Sequence, residues 1–339
     1  MRVAPRPARR AAVAALLAVV LLACAALPAS AAEAGAVDLR VRIIERFRGS
    51  VDPADRLAFR GGLVLSGPRG FGGLSGLLVE GTDLLAVSDV GQWLAARMVI
   101  EDGRLVGVAD ARLIPRRDVN GREITQKRPG DAEALARAPG GVVVAVEQGA
   151  DLLHYPSDGL EVDWAAPARR VPIDHPLRIS ARRNGFEALA SLPDGALLAL
   201  TENARGGVVE GFLLPGGHLA ADPRGEWAVT GADALPGGDI VLLERRFRGG
   251  MDIAMRVRRI GSDAIRAIRR LDGPVLLEAG FSAEIDNMEG IAAEVIDGRI
   301  LLTLVSDDNL SFWQRTLLLR FEISDPVPRA NPARSGARS

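Results

Sequence analysis

The sequence contains the segment NMEGIAAEVIDGRILLTLVSDDN at residues 287–309, and the pattern of this segment decides the fold. Two short apolar runs flank an Asp-Gly turn, and acidic or polar residues stand at both ends. Four earlier segments repeat the pattern: GLSGLLVEGTDLLAVSDVG (73–91), DAEALARAPGGVVVAVEQG (131–149), GFEALASLPDGALLALTEN (185–203) and GADALPGGDIVLLERRF (231–247). The equivalent opening positions, Ser75, Glu133, Glu187, Asp233 and Glu289, lie 58, 54, 46 and 56 residues apart. Such a period predicts an array of small β-sheets that bury their faces against one another.

The apolar runs of the repeats predict strands, because they are four to six residues long, rich in aliphatic side chains and preceded by Gly-containing turns. These runs are Val142–Val146, Ala196–Leu200, Ile240–Leu243 and Ile300–Val305. Their near-continuous apolarity indicates strands that are covered on both faces, as in the blades of a β-propeller. Dividing the length by the period predicts an all-β propeller of six blades, each a four-stranded antiparallel sheet.

The two ends of the repeat array are expected to meet. Apolar and polar residues alternate over Val37–Ile44, so this segment can pair with the last predicted strand, Thr316–Ile323, and leave no open edge in the ring. The best helix candidate is short, at Asp263–Arg270. A pair of β-sandwiches is the structural alternative, but sandwich strands would not carry one acidic register through the whole chain.

Residues 1–31 have the features of a secretory signal peptide, with a basic start, an apolar run over Ala11–Ala26 and small residues before the cleavage point. We therefore expect a periplasmic or secreted protein with no membrane span. Cys24, the only cysteine, lies in the apolar run. It is discarded with the signal peptide unless Leu21–Cys24 acts as a lipoprotein box, in which case Cys24 carries a lipid anchor.

The mature chain is expected to form one domain, because no linker rich in Pro, Gly or Ser separates the repeats. We assign this domain to residues 35–325 and a disordered tail to residues 326–339, which are rich in Pro, Arg and Ser. The formal net charge is −1, and no basic stripe interleaved with aromatic residues is present. This composition excludes nucleic acid as an expected partner. We expect a monomer that acts on a small molecule.

The acids of the repeats are the candidate functional residues, since equivalent positions of successive blades converge on the propeller axis. One set is expected to form a ring at one mouth of the channel: Glu133, Glu187 and Glu289, with Asp131, Asn184 and Asn287 just upstream. A second set ends the following strand and can lie on the same rim or at the opposite end: Asp89, Glu147, Glu202, Glu244, Asp307 and Asp308. Crowded carboxylates must raise their pKa values or bind a cation, and a set of oxygen ligands alone favours a hard ion such as Ca²⁺. The alternative is that these acids cap turns and accept backbone hydrogen bonds between blades.

A serine-histidine hydrolase is not expected. The stretch GLSGL (73–77) lacks the glycine two places after Ser75 that a nucleophile elbow requires, and it precedes a strand. The three histidines, His154, His175 and His218, lie outside the repeated motifs.

An ordered series of motifs resembles the phytase-like domain family of bacteria, which is described by an esterase-like activity of phytase. The motifs are GLSGL (73–77), SDVG (88–91), DAEALA (131–136), NGFEALASLPDG (184–195), LLERRF (242–247), NMEGIAA (287–293) and LVSDDN (304–309). The resemblance spans about residues 60–322 and implies an exported β-propeller hydrolase, with phosphate esters as the expected substrates. It implies channel or metal positions at Glu133, Glu187, Glu202, Glu244, Glu289, Asp307 and Asp308, with Asn184, Asn287 and Asn309. Arg245 and Arg246, in the LLERRF motif, can hold a phosphate or act as rim salt-bridge partners.

The chain departs from the calcium-dependent alkaline phytases, which are distant from this family. It lacks their Asp-Ala-Asp-Asp-Pro-type stretch, and its one lysine, Lys127, cannot form their lysine-rich phosphate clamp. Both differences argue against phytate itself as the substrate. Val90, in SDVG, replaces a basic residue that family members often carry, which weakens a phosphate role for that loop.

The expected function is the hydrolysis of a phosphate ester, with Ca²⁺ and the acids activating water and arginine stabilising the developing charge. The expected catalytic residues are Glu133, Glu187, Glu289, Arg245 and Arg246. One alternative is a lactone or carboxylic-ester hydrolase of the gluconolactonase kind, and another is a propeller that binds a ligand without catalysis.

Overall fold

The computed structural model describes residues 35–48, 56–147, 151–173, 185–201, 209–214, 217–221, 226–249, 252–267 and 270–324. The predicted signal peptide, Cys24 and the predicted tail lie outside these residues. Within the described ranges, no helix has the length and apolarity needed to cross a membrane.

The chain forms five antiparallel sheets that are arranged as the blades of a propeller. The N-terminal strands are β1 (Arg40–Ile44) and β2 (Leu57–Ser66). Blade 1 contains β3 (Leu74–Glu80), β4 (Asp83–Ser88), β5 (Gln92–Glu101) and β6 (Arg104–Pro115). Blade 2 contains β7 (Ala132–Ala138), β8 (Gly141–Val146), β9 (Asp151–Asp158), β10 (Glu161–Val162) and β11 (Arg169–Arg170).

The remaining blades follow the same order from the axis outwards. Blade 3 contains β12 (Ala188–Ser191), β13 (Leu197–Leu200), β14 (Val209–Leu214) and β15 (His218–Ala221), and β19 (Arg270–Leu271) adds to β15 in parallel. Blade 4 contains β16 (Ala228–Ala234), β17 (Ile240–Phe247), β18 (Ile253–Ile260) and β20 (Val275–Gly280). Blade 5 contains β21 (Asn287–Ile296), β22 (Arg299–Asp307) and β23 (Thr316–Ile323), completed by β2 and β1. Two short helices are described, α1 (Lys127–Gly130) and α2 (Ser262–Arg266).

The all-β propeller predicted from the repeats is confirmed, but the prediction of six blades is wrong. The first strands of the five blades contact one another in sequence order, and β21 contacts β3, so the ring closes with five members. Division of length by period overcounts because β1 and β2 do not build a blade of their own. They complete the sheet that the last repeat begins.

Ring closure differs from the expected pairing of Val37–Ile44 with the last strand. The strand that pairs with β23 is β2, with Leu63 opposite Leu318, and β1 pairs with the outer edge of β2. Hydrophobicity explains the order. Leu63 and Leu65 in β2 are buried, whereas four of the five residues of β1 are exposed. A largely exposed strand can occupy only the sheet edge.

The predicted strands of the repeats are confirmed in position, and every residue of β8 is buried. The cores lie between neighbouring blades, as between blades 4 and 5, where Val241 and Leu243 share one apolar cluster with Leu302 and Leu304. The predicted helix at Asp263–Arg270 is present but shorter, at Ser262–Arg266. Helices therefore contribute little to the core.

Closure by β2 predicts that Leu63→Ala destabilises the protein strongly. Leu63 is 0% exposed, so truncation leaves a cavity and should lower the free energy of unfolding by about 2–5 kcal/mol. The matched control is Ile43→Ala in β1, where the side chain is 50% exposed and the expected change is within about 0.5 kcal/mol. Urea denaturation measures both, and equal effects would contradict the assignment of β2 as the closing strand.

Candidate functional site

A β-bulge turns one side chain of most inner strands towards the propeller axis. The ladder shifts register at Ser75–Gly76 in β3, at Glu133 in β7, at Thr230 in β16 and at Glu289 in β21. A bulged residue leaves the normal alternation of strand side chains, which re-aims it. In blade 3, Glu187 stands immediately before β12 and its N–H donates to the Leu200 carbonyl at 2.9 Å.

These five positions, one from each blade, line a narrow cavity on the propeller axis. Three of them are the acids that the repeats predicted, Glu133, Glu187 and Glu289. In blade 4 the axial residue is Thr230, whose hydroxyl donates to the Met288 carbonyl at 2.9 Å. The wall of the cavity is therefore acidic on three blades and neutral on two.

Asp233, aligned with these acids by sequence, lies within β16 and opposite Val241 instead. Its carboxylate accepts hydrogen bonds from the backbone N–H groups of Ala234 and Ala293, each at 2.8 Å. Burial raises the pKa of Asp233 to about 6. Since Ala293 belongs to β21, Asp233 links blade 4 to blade 5. Asp233 thus has the alternative role expected for these acids, which is to accept backbone hydrogen bonds between blades.

Of the second set, Asp89, Glu147 and Asp307 lie on the same rim as the first set, because the two inner strands of these blades form an antiparallel hairpin. Asn287 at the start of β21 pairs with Asp307 at the end of β22. In blade 2 the N–H of Glu147 donates to the Asp131 carbonyl at 3.0 Å, and Asp89 makes the equivalent bond in blade 1, at 2.9 Å. Antiparallel pairing thus places both registers at one mouth.

Three carboxylates at this mouth are close enough to share a cation. One oxygen from each of Asp131, Glu133 and Glu147 lies within 4.8 Å of the other two. Asp89 lies nearby and is only 4% exposed. Its Oδ2 contacts Lys127, whereas its buried Oδ1 has no hydrogen-bond partner among the described residues. A buried carboxylate oxygen without a partner is costly unless a cation or water satisfies it.

The electrostatics of the cluster favour bound protons or a cation. Burial is the largest cause in each case, and neighbouring carboxylates add to it. The pKa of Glu133 rises to about 9, with Glu289, Asp131 and Glu147 as the further causes. The pKa of Asp307 rises to about 8, mainly through burial and then Glu289. Burial and the hydrogen bond with Glu147 raise the pKa of Asp131 to about 6. Full ionisation of the cluster at neutral pH therefore requires added positive charge.

Two basic side chains supply part of that charge. Arg245 Nη1 donates to Glu289 Oε1 at 2.8 Å and also donates to Asn287 Oδ1. Asn287 Nδ2 donates to the same Glu289 oxygen at 2.8 Å, and Ser75 Oγ donates to the other at 3.3 Å. Glu289 is thus held in a fixed position. On the other side of the mouth, Lys127 Nζ lies 2.6 Å from Asp89 Oδ2.

Asp308 and Asn309, predicted as metal positions, brace the loop that carries Asp307. Asp308 accepts from the Gly73 N–H at 3.0 Å and from the Thr316 hydroxyl at 2.9 Å, which ties blade 5 to blade 1. The Asn309 N–H donates to Asp307 Oδ1 at 2.6 Å. These contacts orient Asp307 and leave Asp308 engaged in structural bonds.

Glu244 and Arg246 do not lie where the family resemblance implied. Glu244 is fully buried in blade 4, where it accepts from Arg256 at 2.5 Å and from Arg258 at 2.7 Å. Arg256 is its cross-strand partner on β18, so the carboxylate serves that sheet. Arg246 stacks over Trp227 at 5.0 Å. Neither side chain lines the axial cavity, and the predicted positions Asn184 and Glu202 lie outside the described residues.

Lys127 and Thr230 are site residues that the sequence reasoning missed. Thr230 is neutral, so a search for repeated acids passes over it. Lys127 lies in the segment that joins blades 1 and 2, outside every repeat. The available signal was that Lys127 is the only lysine in the chain.

The raised pKa values of Glu133 and Asp307 predict that the free energy of unfolding, measured with a chelator, falls as pH rises. The folded protein keeps both protons up to about pH 9 and 8, whereas the unfolded chain loses them near pH 4. This stability is fully present below about pH 4 and is lost as pH rises through the folded-state values. Urea denaturation between about pH 5 and 9 measures the slope.

In the same experiment, Glu133→Gln should make the dependence on pH shallower, because the amide does not titrate. Glu101→Gln, at the exposed end of β5 in blade 1, is the control and should keep the slope of the unmodified protein. A free energy of unfolding that increases across this interval would contradict the electrostatic account of the mouth.

Comparison with known proteins gives one family match. The similar solved structures include an aldose sugar dehydrogenase from Streptomyces coelicolor (13% identity, 85% of this chain and 100% of that chain, TM-score 0.42), an endo-arabinase from Bacteroides thetaiotaomicron (13%, 76% and 94%, 0.43) and a glutaminyl cyclase from Myxococcus xanthus (14%, 86% and 100%, 0.40). TM-scores below 0.5 give no support for a shared function. No curated protein sequence matches the chain significantly. Residues 69–310, by contrast, match the family "Phytase-like: Esterase-like activity of phytase". This match covers most of the chain, including all five axial positions, and the protein therefore belongs to the phytase-like family.

Proposed function

We propose that the protein is an exported, metal-dependent hydrolase that cleaves a phosphate ester at the acidic mouth of the propeller axis. The observation that carries the proposal is the convergence of Asp131, Glu133 and Glu147 within 4.8 Å of one another. Membership of the phytase-like family adds hydrolase chemistry as the expected activity. Export follows from the signal peptide predicted for residues 1–31.

The residues at the mouth fit a hard divalent cation such as Ca²⁺. They offer oxygen atoms only, and Ca²⁺ takes six to eight oxygen ligands in a flexible geometry. Asp89, Asp131, Glu147 and Asp307 would hold the ion, together with Glu133. The unpartnered Oδ1 of Asp89 and the raised pKa values of Asp131 and Asp307 are both relieved by a nearby positive charge. When bound, such an ion polarises a phosphoryl oxygen and lowers the pKa of a coordinated water.

The protein's own residues would position the substrate and the attacking water. Glu187 faces the same cavity and would orient the attacking water. Arg245 is fixed by Glu289 and Asn287 and would hold an equatorial phosphoryl oxygen. Thr230 and Ser75 keep the remaining wall neutral.

The oxygen ligands also suit a lactone or carboxylic-ester hydrolase, since a bound cation polarises a carbonyl oxygen in the same way. The guanidinium of Arg245 at the mouth favours the phosphate ester, because arginine matches the geometry of a phosphoryl group. A propeller that binds a ligand without catalysis is the third candidate.

The proposal predicts that the purified protein binds Ca²⁺ and that chelation lowers its activity. Elemental analysis and calorimetric titration with Ca²⁺ measure binding. Turnover of an aryl phosphate, an aryl acetate and a lactone, each with Ca²⁺ and with chelator, identifies the reaction. We expect Ca²⁺-dependent turnover of the aryl phosphate. Turnover of the acetate or the lactone alone would replace this proposal with the ester hydrolase.

Glu133→Gln and Glu289→Gln test the residues of the site. Each should weaken Ca²⁺ binding at least about ten-fold. Glu133→Gln removes a ligand of the ion, and Glu289→Gln removes the carboxylate that anchors Arg245 and Asn287. Glu101→Gln is again the exposed control. Unchanged Ca²⁺ affinity and turnover in both variants would remove these glutamates from the site.

A further inference from the structure

Lys127 differs in residue type from every other basic side chain of the protein. The sequence contains 42 basic residues, and Lys127 is the only lysine among them. It lies at the start of α1 in the segment between blades 1 and 2, where no repeat requires it. Its ammonium group reaches the acidic mouth that the proposed function uses.

The ammonium occupies the outer part of the carboxylate cluster. Nζ lies 2.6 Å from Asp89 Oδ2 and 3.7 Å from Asp131 Oδ1. Asp89 and Asp131 are both buried, whereas the Lys127 side chain is 54% exposed. The cation therefore approaches two buried anions from the solvent side. The second oxygen of Asp89, which is buried and has no partner in the described part of the chain, shows that the ammonium satisfies this carboxylate incompletely.

The backbone below Lys127 is anchored although its side chain is half-exposed. The fully buried Arg116 donates from Nη2 to the Gly130 carbonyl, and the Gly130 N–H donates to the Gln126 carbonyl at 3.2 Å. The turn thus stays in place when the lysine stem rotates. Four methylene groups let the ammonium move several ångströms without disturbing α1.

Lysine has the chemistry of a replaceable counter-ion. Its ammonium is a compact, strongly hydrated point charge, whereas the guanidinium of arginine is a planar fork that binds a carboxylate through two parallel bonds. A single charge close to carboxylate oxygens occupies a position in which a metal ion could bind the same oxygens. A divalent cation brings twice the charge to the same oxygens and does not lose side-chain entropy.

We propose that Lys127 is a built-in counter-ion that competes with a divalent cation for Asp89 and Asp131, so that binding of the cation displaces the ammonium into solvent. This inference rests on the proposed metal site, and it adds a residue that sets the affinity of that site. Lys127 then limits occupancy to conditions in which the divalent ion is abundant, and it keeps the mouth partly neutralised when the ion is scarce.

Competition predicts a gain of affinity when the charge is removed. Lys127→Met keeps most of the stem and deletes the ammonium, and calorimetric titration should show Ca²⁺ binding at least about ten-fold more tightly than in the unmodified protein. The control is Arg137→Met, which removes a half-exposed cation that pairs with Glu80 at the opposite end of the propeller and should leave the affinity unchanged. If Lys127 only braces the mouth, Lys127→Met weakens Ca²⁺ binding, and an unchanged or weaker affinity overturns the inference.

A second readout reports on the ammonium itself. Protein grown with ¹³C-labelled lysine carries the label at one residue, so the Cε resonance belongs to Lys127 alone. Titration of the full protein with Ca²⁺ should shift this resonance with the same midpoint as the calorimetric binding curve. If Ca²⁺ binds and the resonance does not shift, the proposed displacement of Lys127 is wrong, whereas the proposed metal site stands. Absence of Ca²⁺ binding in both the unmodified protein and Lys127→Met would instead overturn the proposed function, and this inference with it.

Discussion

Repulsion between carboxylates at one mouth of a narrow channel is the constraint on which the rest of the site depends. Five inner strands begin around a common axis, and the bulges in them direct Glu133 and Glu289 inwards. Antiparallel hairpins bring Asp131 and Asp307 to the same rim. Taking several carboxylates out of water at short range is unfavourable unless protons or cations accompany them.

The structure meets this repulsion in three ways. Glu289 is neutralised by a fixed partner, Arg245, within a network that also includes Asn287. Asp89 is met by a half-exposed partner, Lys127. Glu133 retains a proton. At the proposed metal site, these three solutions would differ in how readily a divalent ion replaces them, and that difference would separate the scaffold of the site from its exchangeable part.

Two acids near the site have structural roles, although their sequence positions alone would suggest catalytic or metal-binding roles. Asp308 ties blade 5 to blade 1 through the Gly73 N–H, and Asp233 ties blade 4 to blade 5 through the Ala293 N–H. Both bonds cross a blade interface, so the acids of the repeats serve ring closure as well as the mouth. Buried Glu244 has a third structural role, because it forms ion pairs with arginines of the same blade. An acid at a repeated position is thus not by itself a ligand.

The sequence by itself determined the all-β propeller, the strands of the repeats and four of the five axial positions, Ser75, Glu133, Glu187 and Glu289. Local apolar periodicity and turn chemistry carry that information, because each strand pairs mainly with its neighbour in the chain. Only the tertiary structure decided the blade count, since the role of β2 depends on a partner more than 250 residues away. It alone placed both acidic registers on one rim, put Thr230 rather than Asp233 on the axis and withdrew Glu244 into blade 4. Bulges and ion pairs set these outcomes, and they depend on which side chains face each other across strands rather than on their spacing along the chain.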